Sequence, residues 1–201
     1  MRDLIVFAGA VALAGCASKA LPPQQPLAQI AVQPLGQILD PQVHITRDAS
    51  LNLPFPPGYP EARMLNQLVR ARYGARRGVF EAGLTLSPDR VELVITAPSG
   101  PRLASMSWDE DAITETRAKG PFRDAPGANM LGDIFLCFWP RDAVAAALDP
   151  GLDITDGPEG RRLISQNGNP IIEISRAPET PQITRLHNLA LDYQLIIETY
   201  P

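Results

Sequence analysis

The stretch FEAGLTLSPDRVELVIT, residues 80–96, carries the pattern that decides the fold. Apolar side chains occupy every second position before the SPDR segment and again after it, which is the period of a strand with one buried face. Ser-Pro-Asp-Arg has the composition of a tight turn. Two runs joined by so short a connection pair antiparallel, because parallel neighbours need a long crossover. The stretch therefore predicts a β-hairpin.

The same period of two continues on both sides of this hairpin. Upstream, residues 63–73 alternate apolar and polar side chains and reach residue 80 through the turn-like GARRG segment. Downstream, Asn167-Gly168 between two further alternating runs is the strongest hairpin signal in the chain, because both central positions of a type I′ turn favour positive φ. The remaining runs with strand character are 103–108, 113–117, 161–166, 171–176, 183–188 and 193–200. About nine antiparallel strands result, and a sheet of that size curls.

One segment, residues 128–148, departs from this period. Its composition favours helix, with Asn129 or Asp133 as the N-cap of a first helix and Pro140 in the first turn of a second. The first of these helices is apolar on nearly every side, and such a helix is covered on every side. We therefore expect a mainly β fold, a curled antiparallel sheet with a helical insert that covers its concave face and encloses an apolar space.

The N-terminus resembles that of bacterial lipoprotein precursors. Arg2 precedes an apolar segment that is too short to span a membrane and ends in Leu-Ala-Gly-Cys, a lipobox whose Cys16 is the expected lipidation site. Proline-rich sequence follows, with nine of the chain's 21 prolines between residues 21 and 60. We divide the chain into a signal peptide at 1–15, a lipidated cysteine, tether and edge strand at 16–60, and a β domain at 61–201.

Charge and cysteine content narrow the classes of partner. A net charge of −4 with no basic run argues against nucleic acid, whose phosphates need clustered Lys and Arg. The membrane contact therefore depends on the lipid anchor, which two or more acyl chains make stable. Ala17 follows the lipidated cysteine where an aspartate would retain the protein in the inner membrane, so we expect an outer-membrane, periplasm-facing location. The remaining cysteine, Cys137, lies among apolar residues and is expected to be buried.

Four segments of the β domain, within about 63–199, carry a family resemblance: TAPSGPRLASMSW, MLGDIFLCFWP, RRLISQNGNPIIEI and LHNLALDYQLIIET. With them the domain resembles outer-membrane lipoproteins of an uncharacterised family whose domain is similar to the Lol-type lipoprotein receptor and carrier, LolB and LolA. The resemblance implies an unclosed β-barrel of roughly eleven strands with a helical lid over a hydrophobic cavity. Because the family is often encoded beside aryl polyene biosynthesis genes, it also implies a transport or biosynthesis partner in the envelope. The APSGPR loop at 97–102 lacks the bulky apolar tip of the LolB receptor.

Few residues have the character of a catalytic or metal site. His44 and His187 lie on separate strand-like runs without further ligands at metal spacing, so we expect no metal, no cofactor and no enzymatic activity. Asp133 is expected to cap a helix or to pair with Arg161 or Arg162.

Two classes of function remain open. The first is a lipoprotein that binds or transfers a lipid, an acyl chain or a lipoprotein anchor under a lid. The second is a structural or adaptor lipoprotein that docks an envelope complex and has no small-molecule ligand. Leu, Ile and Phe line a cavity and fill a core equally well, so composition does not separate the two. The residues expected to form the lid are Ile134, Phe135, Phe138 and Trp139.

Overall fold

The computed structural model describes residues 36–98, 100–117, 127–177 and 182–200, which lie within one compact unit, Pro34–Pro201. The strands are β1 (Gln37–Leu39), β2 (Gln42–His44), β3 (Ser50–Asn52), β4 (Arg63–Tyr73), β5 (Arg76–Leu86), β6 (Val91–Thr96), β7 (Arg102–Trp108), β8 (Ile113–Arg117), β9 (Leu152–Asp156), β10 (Arg162–Gln166), β11 (Asn169–Arg176), β12 (Ile183–Asn188) and β13 (Tyr193–Tyr200). The helices are α1 (Gly127–Phe138) and α2 (Arg141–Ala147), and Pro158–Gly160 form one turn of 3₁₀-helix.

Eleven of these strands form a single antiparallel sheet in the order β1-β8-β7-β6-β5-β4-β13-β12-β11-β10-β9. The sheet consists of two meanders, β4–β8 and β9–β13. They are joined by β13, which pairs with β4 along the full length of β13. Strands β1 and β9 form the two edges and do not pair with each other, so the sheet does not close. The expected fold class, a curled antiparallel sheet with a helical insert, is confirmed.

The hairpin predictions are confirmed by the strand registers. β4 and β5 pair over eleven residues on either side of a turn in which Gly74 adopts a φ of 55°. Asn167 and Gly168 both have positive φ, 52° and 79°, as a type I′ turn requires. Three strands were missed. β1 and β3 are only three residues long, and β9 falls in the segment DPGLDITDGPEG, where three glycines and two prolines obscure the alternation.

Residues 36–60, which we assigned to the segment before the β domain, lie within the compact unit. β1 pairs with β8 at the edge of the large sheet, whereas β2 and β3 form a separate two-stranded sheet. The side chains of Val43 and Leu51 are buried in the core, and Leu51 forms a β-bridge with Leu148 after α2. The prolines here flank short strands and do not prevent the chain between them from packing.

The helical insert consists of two short helices, as the sequence predicted. Because α1 begins at Gly127, Asn129 and Asp133 lie inside it and neither is the N-cap, so that prediction was wrong. Pro140 is the N-cap of α2. A Cβ atom on Gly132 would lie 2.8 Å from a methyl carbon of Val43, so glycine allows α1 to approach β2 closely. None of the helices in the described ranges is long and apolar enough to cross a membrane.

The C-terminal end of α1 is held by the buried guanidinium of Arg162. Its Nη1 donates to the carbonyl oxygens of Leu136 and Trp139, at 2.8 and 2.9 Å, which are acceptors that a helix end leaves unsatisfied. The same group binds both carboxylate oxygens of Asp156, at 2.7 and 2.9 Å. The arginine therefore fixes the helix on β9 and β10. Its ion pair is with Asp156, so the alternative in which Asp133 pairs with Arg162 is wrong.

Candidate functional site

A cavity of about 430 Å³ lies between α1 and the central strands β13, β4, β5 and β6. Natural protein interiors contain few voids larger than a water molecule, whereas ligand sites occupy about 300–1,000 Å³. The lining residues are Gln67, Val69, Ala71, Tyr73, Arg76, Arg77, Gly78, Phe80, Ala82, Leu93, Ile95, Asn129, Met130, Asp133, Ile134, Tyr193, Leu195 and Ile197.

The strand registers arrange these side chains in successive rows along the cavity. Inward-facing positions alternate along each strand, so neighbouring strands contribute one residue each to a row. Ile197, Val69 and Phe80 form an apolar row in the middle. Tyr193, Tyr73 and Arg76 form the row next to the β4–β5 turn, where Tyr73 is 43% exposed and Arg76 is also exposed. The solvent-facing mouth of the cavity is therefore at this turn.

Asp133 is the buried carboxyl group of the site. Its Oδ1 accepts a hydrogen bond of 2.6 Å from the hydroxyl of Tyr193, whose ring stacks on that of Tyr73 at a centroid distance of 5.0 Å. Burial raises the pKa of Asp133 to about 7, although the hydrogen bond from Tyr193 acts in the opposite direction. Burial, and then the neighbouring carboxylate, also raise the pKa of Tyr193 well above its usual value. The carboxyl group thus changes charge near neutral pH inside a mainly apolar wall.

Only Ile134 of the four predicted lid residues lines the cavity. Phe135 and Trp139 are fully buried on another side of α1, where their rings pack against each other and against Trp108, with centroid distances of 5.2–6.0 Å. Phe138 is half-buried and packs against the core. The lid prediction therefore needs correction, because successive helical residues turn by about 100° and the face of Met130, Asp133 and Ile134 differs from that of Phe135 and Trp139.

The aromatic cluster is structural, and its polar atoms are satisfied. Trp108 Nε1 donates to the carbonyl oxygen of Pro54 at 2.8 Å, and Trp139 Nε1 donates to that of Pro57 at 2.7 Å. The ring of Tyr59 meets Trp139 edge-on at 4.9 Å. The proline-rich segment before β4 thus covers both tryptophans.

Cys137 is fully buried in the core, as predicted. Burial, followed by the nearby Asp133, raises the pKa of the thiol to about 12, so the nucleophilic thiolate is not populated at neutral pH. His44 hydrogen-bonds Ser50 and His187 hydrogen-bonds Gln194, on different strands. Among the described residues no three His, Cys, Asp or Glu side chains come together as a metal site would require. Cys16 lies outside the described residues, so its lipidation stays a prediction.

Several residues of the site escaped sequence reasoning. The alternation in β4, β5 and β13 does indicate that Val69, Phe80 and Leu195 face inward, but it does not indicate that they face a void. Tyr193 and Asp133 are 60 positions apart, and no local pattern connects a strand tyrosine with a helix aspartate across that distance. Gln67 occupies an inward position of β4 and is buried although polar.

Together the fold and the cavity define a class of proteins in which an open, curled antiparallel sheet and a short helical insert enclose an apolar pocket. Residues 64–201 match the family described as "Protein of unknown function (DUF3261)", which is most of the chain. The chain belongs to this family. No curated protein matches it.

Proposed function

We propose that the protein is a lipid-anchored protein of the bacterial outer membrane that binds an acyl chain in the cavity between α1 and strands β13, β4, β5 and β6. The observation that carries the proposal is the cavity itself. Its 430 Å³ lies within the range of about 300–1,000 Å³ that ligand pockets occupy. Its walls are mainly apolar side chains, which suit a hydrocarbon chain and offer few partners to water.

Burial of hydrocarbon supplies enough free energy for such binding. An acyl chain that buries ten CH₂ groups gains on the order of 8 kcal/mol before the costs of ordering and association. Few polar contacts are then needed, in keeping with a cavity wall in which apolar residues are the majority. Interior space of this size also favours a binding protein over the adaptor alternative, in which a filled core would hold no ligand.

The expected resemblance to the Lol-type receptor and carrier supports a role in moving the bound group. The features that support this comparison are an antiparallel sheet of eleven strands that stays open and helices over its concave side. The loop between β6 and β7 has no bulky apolar residue at its tip, so we propose binding or transfer of a lipid and not insertion of lipoproteins into the membrane. The lipobox at Cys16, followed by Ala17, supports anchoring at the inner leaflet of the outer membrane.

Filling the cavity from inside tests the proposal. Ala71 and Ala82 are buried lining residues on β4 and β5, and phenylalanine at either position would place a ring in the space that an acyl chain would occupy. We expect Ala71→Phe and Ala82→Phe to remain folded and to lose at least tenfold in affinity for a fluorescent fatty acid. Ala143→Phe on α2, away from the cavity, is the matched control and should bind normally.

The stability of the same variants separates a cavity from a filled core. A ring inserted into empty space keeps or raises the melting temperature, whereas overpacking a filled core destabilises by about 1–3 kcal/mol. If wild-type protein binds no apolar probe and both variants are destabilised, the acyl-binding proposal is wrong and the adaptor function replaces it.

A further inference from the structure

The cavity is polar at one end and apolar over the rest of its length. The row next to the β4–β5 turn contains Tyr193, Tyr73 and Arg76, and Arg77 completes the rim. Beyond that row, the residues that follow inward along the same strands are apolar or glycine as far as Gln67. A ligand that matches both regions has a hydrocarbon chain and a polar head.

The polar end is positively charged. Arg76 and Arg77 both line the mouth and are exposed. Within the described residues, no carboxylate lies within ion-pair distance of either guanidinium. In contrast, Arg72 on the neighbouring strand lies 3.8 Å from Asp192. Arg76 lies in the inward row with Tyr73, whereas Arg77 pairs with Arg72 in the alternate row, so Arg76 faces the cavity and Arg77 contributes to the rim. The planar donors of a guanidinium group match the oxygens of a carboxylate or a phosphate.

We propose that the ligand is an anionic amphiphile whose carboxylate or phosphate head lies against Arg76 at the mouth, with Arg77 at the rim, while its hydrocarbon chain extends along β4, β5 and β13 under α1. This inference rests on the proposed function and specifies the head group of its ligand. A cationic head would be repelled by both arginines, and an uncharged head would gain no charge-assisted hydrogen bond from them. The hydroxyl group of the exposed Tyr73 lies in the same row and is available as a further donor.

The carboxyl group of Asp133 also lies in the cavity wall, and its charge affects whether an anionic head can lie at the mouth. It lies on α1 opposite Tyr193, which is in the mouth row. Since burial raises the pKa of this carboxyl to about 7, it is largely neutral in mildly acidic solution and does not oppose an anionic head there. The surrounding tyrosines remain uncharged, because burial raises the pKa of both.

Competition among amphiphiles with one hydrocarbon chain tests the head-group preference. The full chain carrying Cys16→Ser, which lacks acyl chains that would compete for the cavity, is loaded with a fluorescent fatty acid at about pH 6. Oleate, oleyl phosphate, oleyl alcohol and oleylamine then displace the probe. We expect oleate or oleyl phosphate to bind about tenfold more tightly than oleyl alcohol, with oleylamine weakest. The two anions distinguish a carboxylate ligand from a phosphate ligand.

The variant Arg76→Gln/Arg77→Gln identifies the source of the preference. It should reduce the anion preference to less than about threefold and leave the affinity for oleyl alcohol unchanged. Arg90→Gln is the matched control, since Arg90 is exposed at the β5–β6 turn and pairs with Glu92 at 2.9 Å. In about 1 M salt, where the Debye length is ~3 Å, the wild-type preference should also decline.

The outcomes separate this inference from the proposed function. If all four amphiphiles bind with equal affinity, or if the double variant keeps the anion preference, the head-group inference is wrong while acyl binding stands. Preference for oleylamine would also overturn the head-group inference, because it would mean that the negative charge of Asp133 and not the positive charge of the arginines determines which head group binds. Failure of every amphiphile to displace or bind would overturn both proposals.

Discussion

Replacing Asp133 by asparagine should remove a pH dependence of stability that the cavity imposes on the fold. The carboxyl group is buried, its hydrogen bond is with the hydroxyl of Tyr193, and burial raises its pKa to about 7. In the unfolded chain an aspartate has a pKa of ~3.9. Between those two values the folded protein holds a proton that the unfolded chain has released. The free energy of unfolding therefore decreases as pH rises through this window and levels off above about pH 7.

The magnitude follows from the distance between the two pKa values. About three pH units at 1.36 kcal/mol each give roughly 4 kcal/mol of stability that is present near pH 4 and lost by pH 8. Domains of this size are stable by about 5–15 kcal/mol, so the loss is a large fraction of the total. At 2–4 °C per kcal/mol it corresponds to roughly 10 °C in melting temperature.

Urea unfolding followed by tryptophan fluorescence at about pH 5 and about pH 8 measures this difference. Asp133→Asn keeps an acceptor for Tyr193 and carries no charge, so it should have a flatter pH dependence than wild type and be more stable at the higher pH. Asp153→Asn, at an exposed position of β9, is the matched control and should keep the wild-type slope. Equal slopes in wild type and Asp133→Asn would refute the argument that burial of this carboxyl perturbs its titration.

Three further predictions concern other parts of the chain. Arg162→Met should lower the free energy of unfolding by about 2–4 kcal/mol in urea titrations, because two carbonyls at the end of α1 and Asp156 lose their donor. Arg162 also lowers the pKa of Asp156, so the contribution of this pair should disappear only in acid, as pH falls below about 4. Cys137 should resist maleimide in the folded protein and react in urea, and rapid native labelling would contradict its burial. Cys16→Ser should abolish incorporation of labelled fatty acid, and persistent labelling would exclude Cys16 as the anchor.

The large sheet was predictable because its signals are local. Alternation over five or more residues, together with a turn such as Asn167-Gly168, specifies a hairpin without reference to the rest of the chain. The pairing of β13 with β4 is different in kind, since the two strands are more than a hundred residues apart and no turn connects them. No local pattern in the sequence therefore indicates this long-range pair.

The candidate site was only partly predictable. A helix that is apolar all round gives no indication of which side faces the cavity and which side packs in the core. The sequence correctly indicates that α1 is covered, and Ile134 does line the cavity. Phe135 and Trp139 are equally apolar, but they face Trp108 and the proline-rich segment before β4. We had assigned that segment to the tether and edge strand before the β domain. The prediction therefore lacked the packing partner of Phe135 and Trp139, which determines the orientation of α1.

The two sides of α1 separate the packing of the fold from the proposed binding site. One side carries Phe135 with Trp139, and Gly132 allows close approach to β2, so the helix is fixed by contacts that do not involve the cavity. The other side carries Met130 and Ile134, which face the central strands across open space. The aromatic contacts of α1 and its close approach to β2 therefore hold the helix without any contribution from Met130 or Ile134. Substitutions at Met130 or Ile134 should therefore alter binding more than stability, and substitutions at Phe135 should do the reverse.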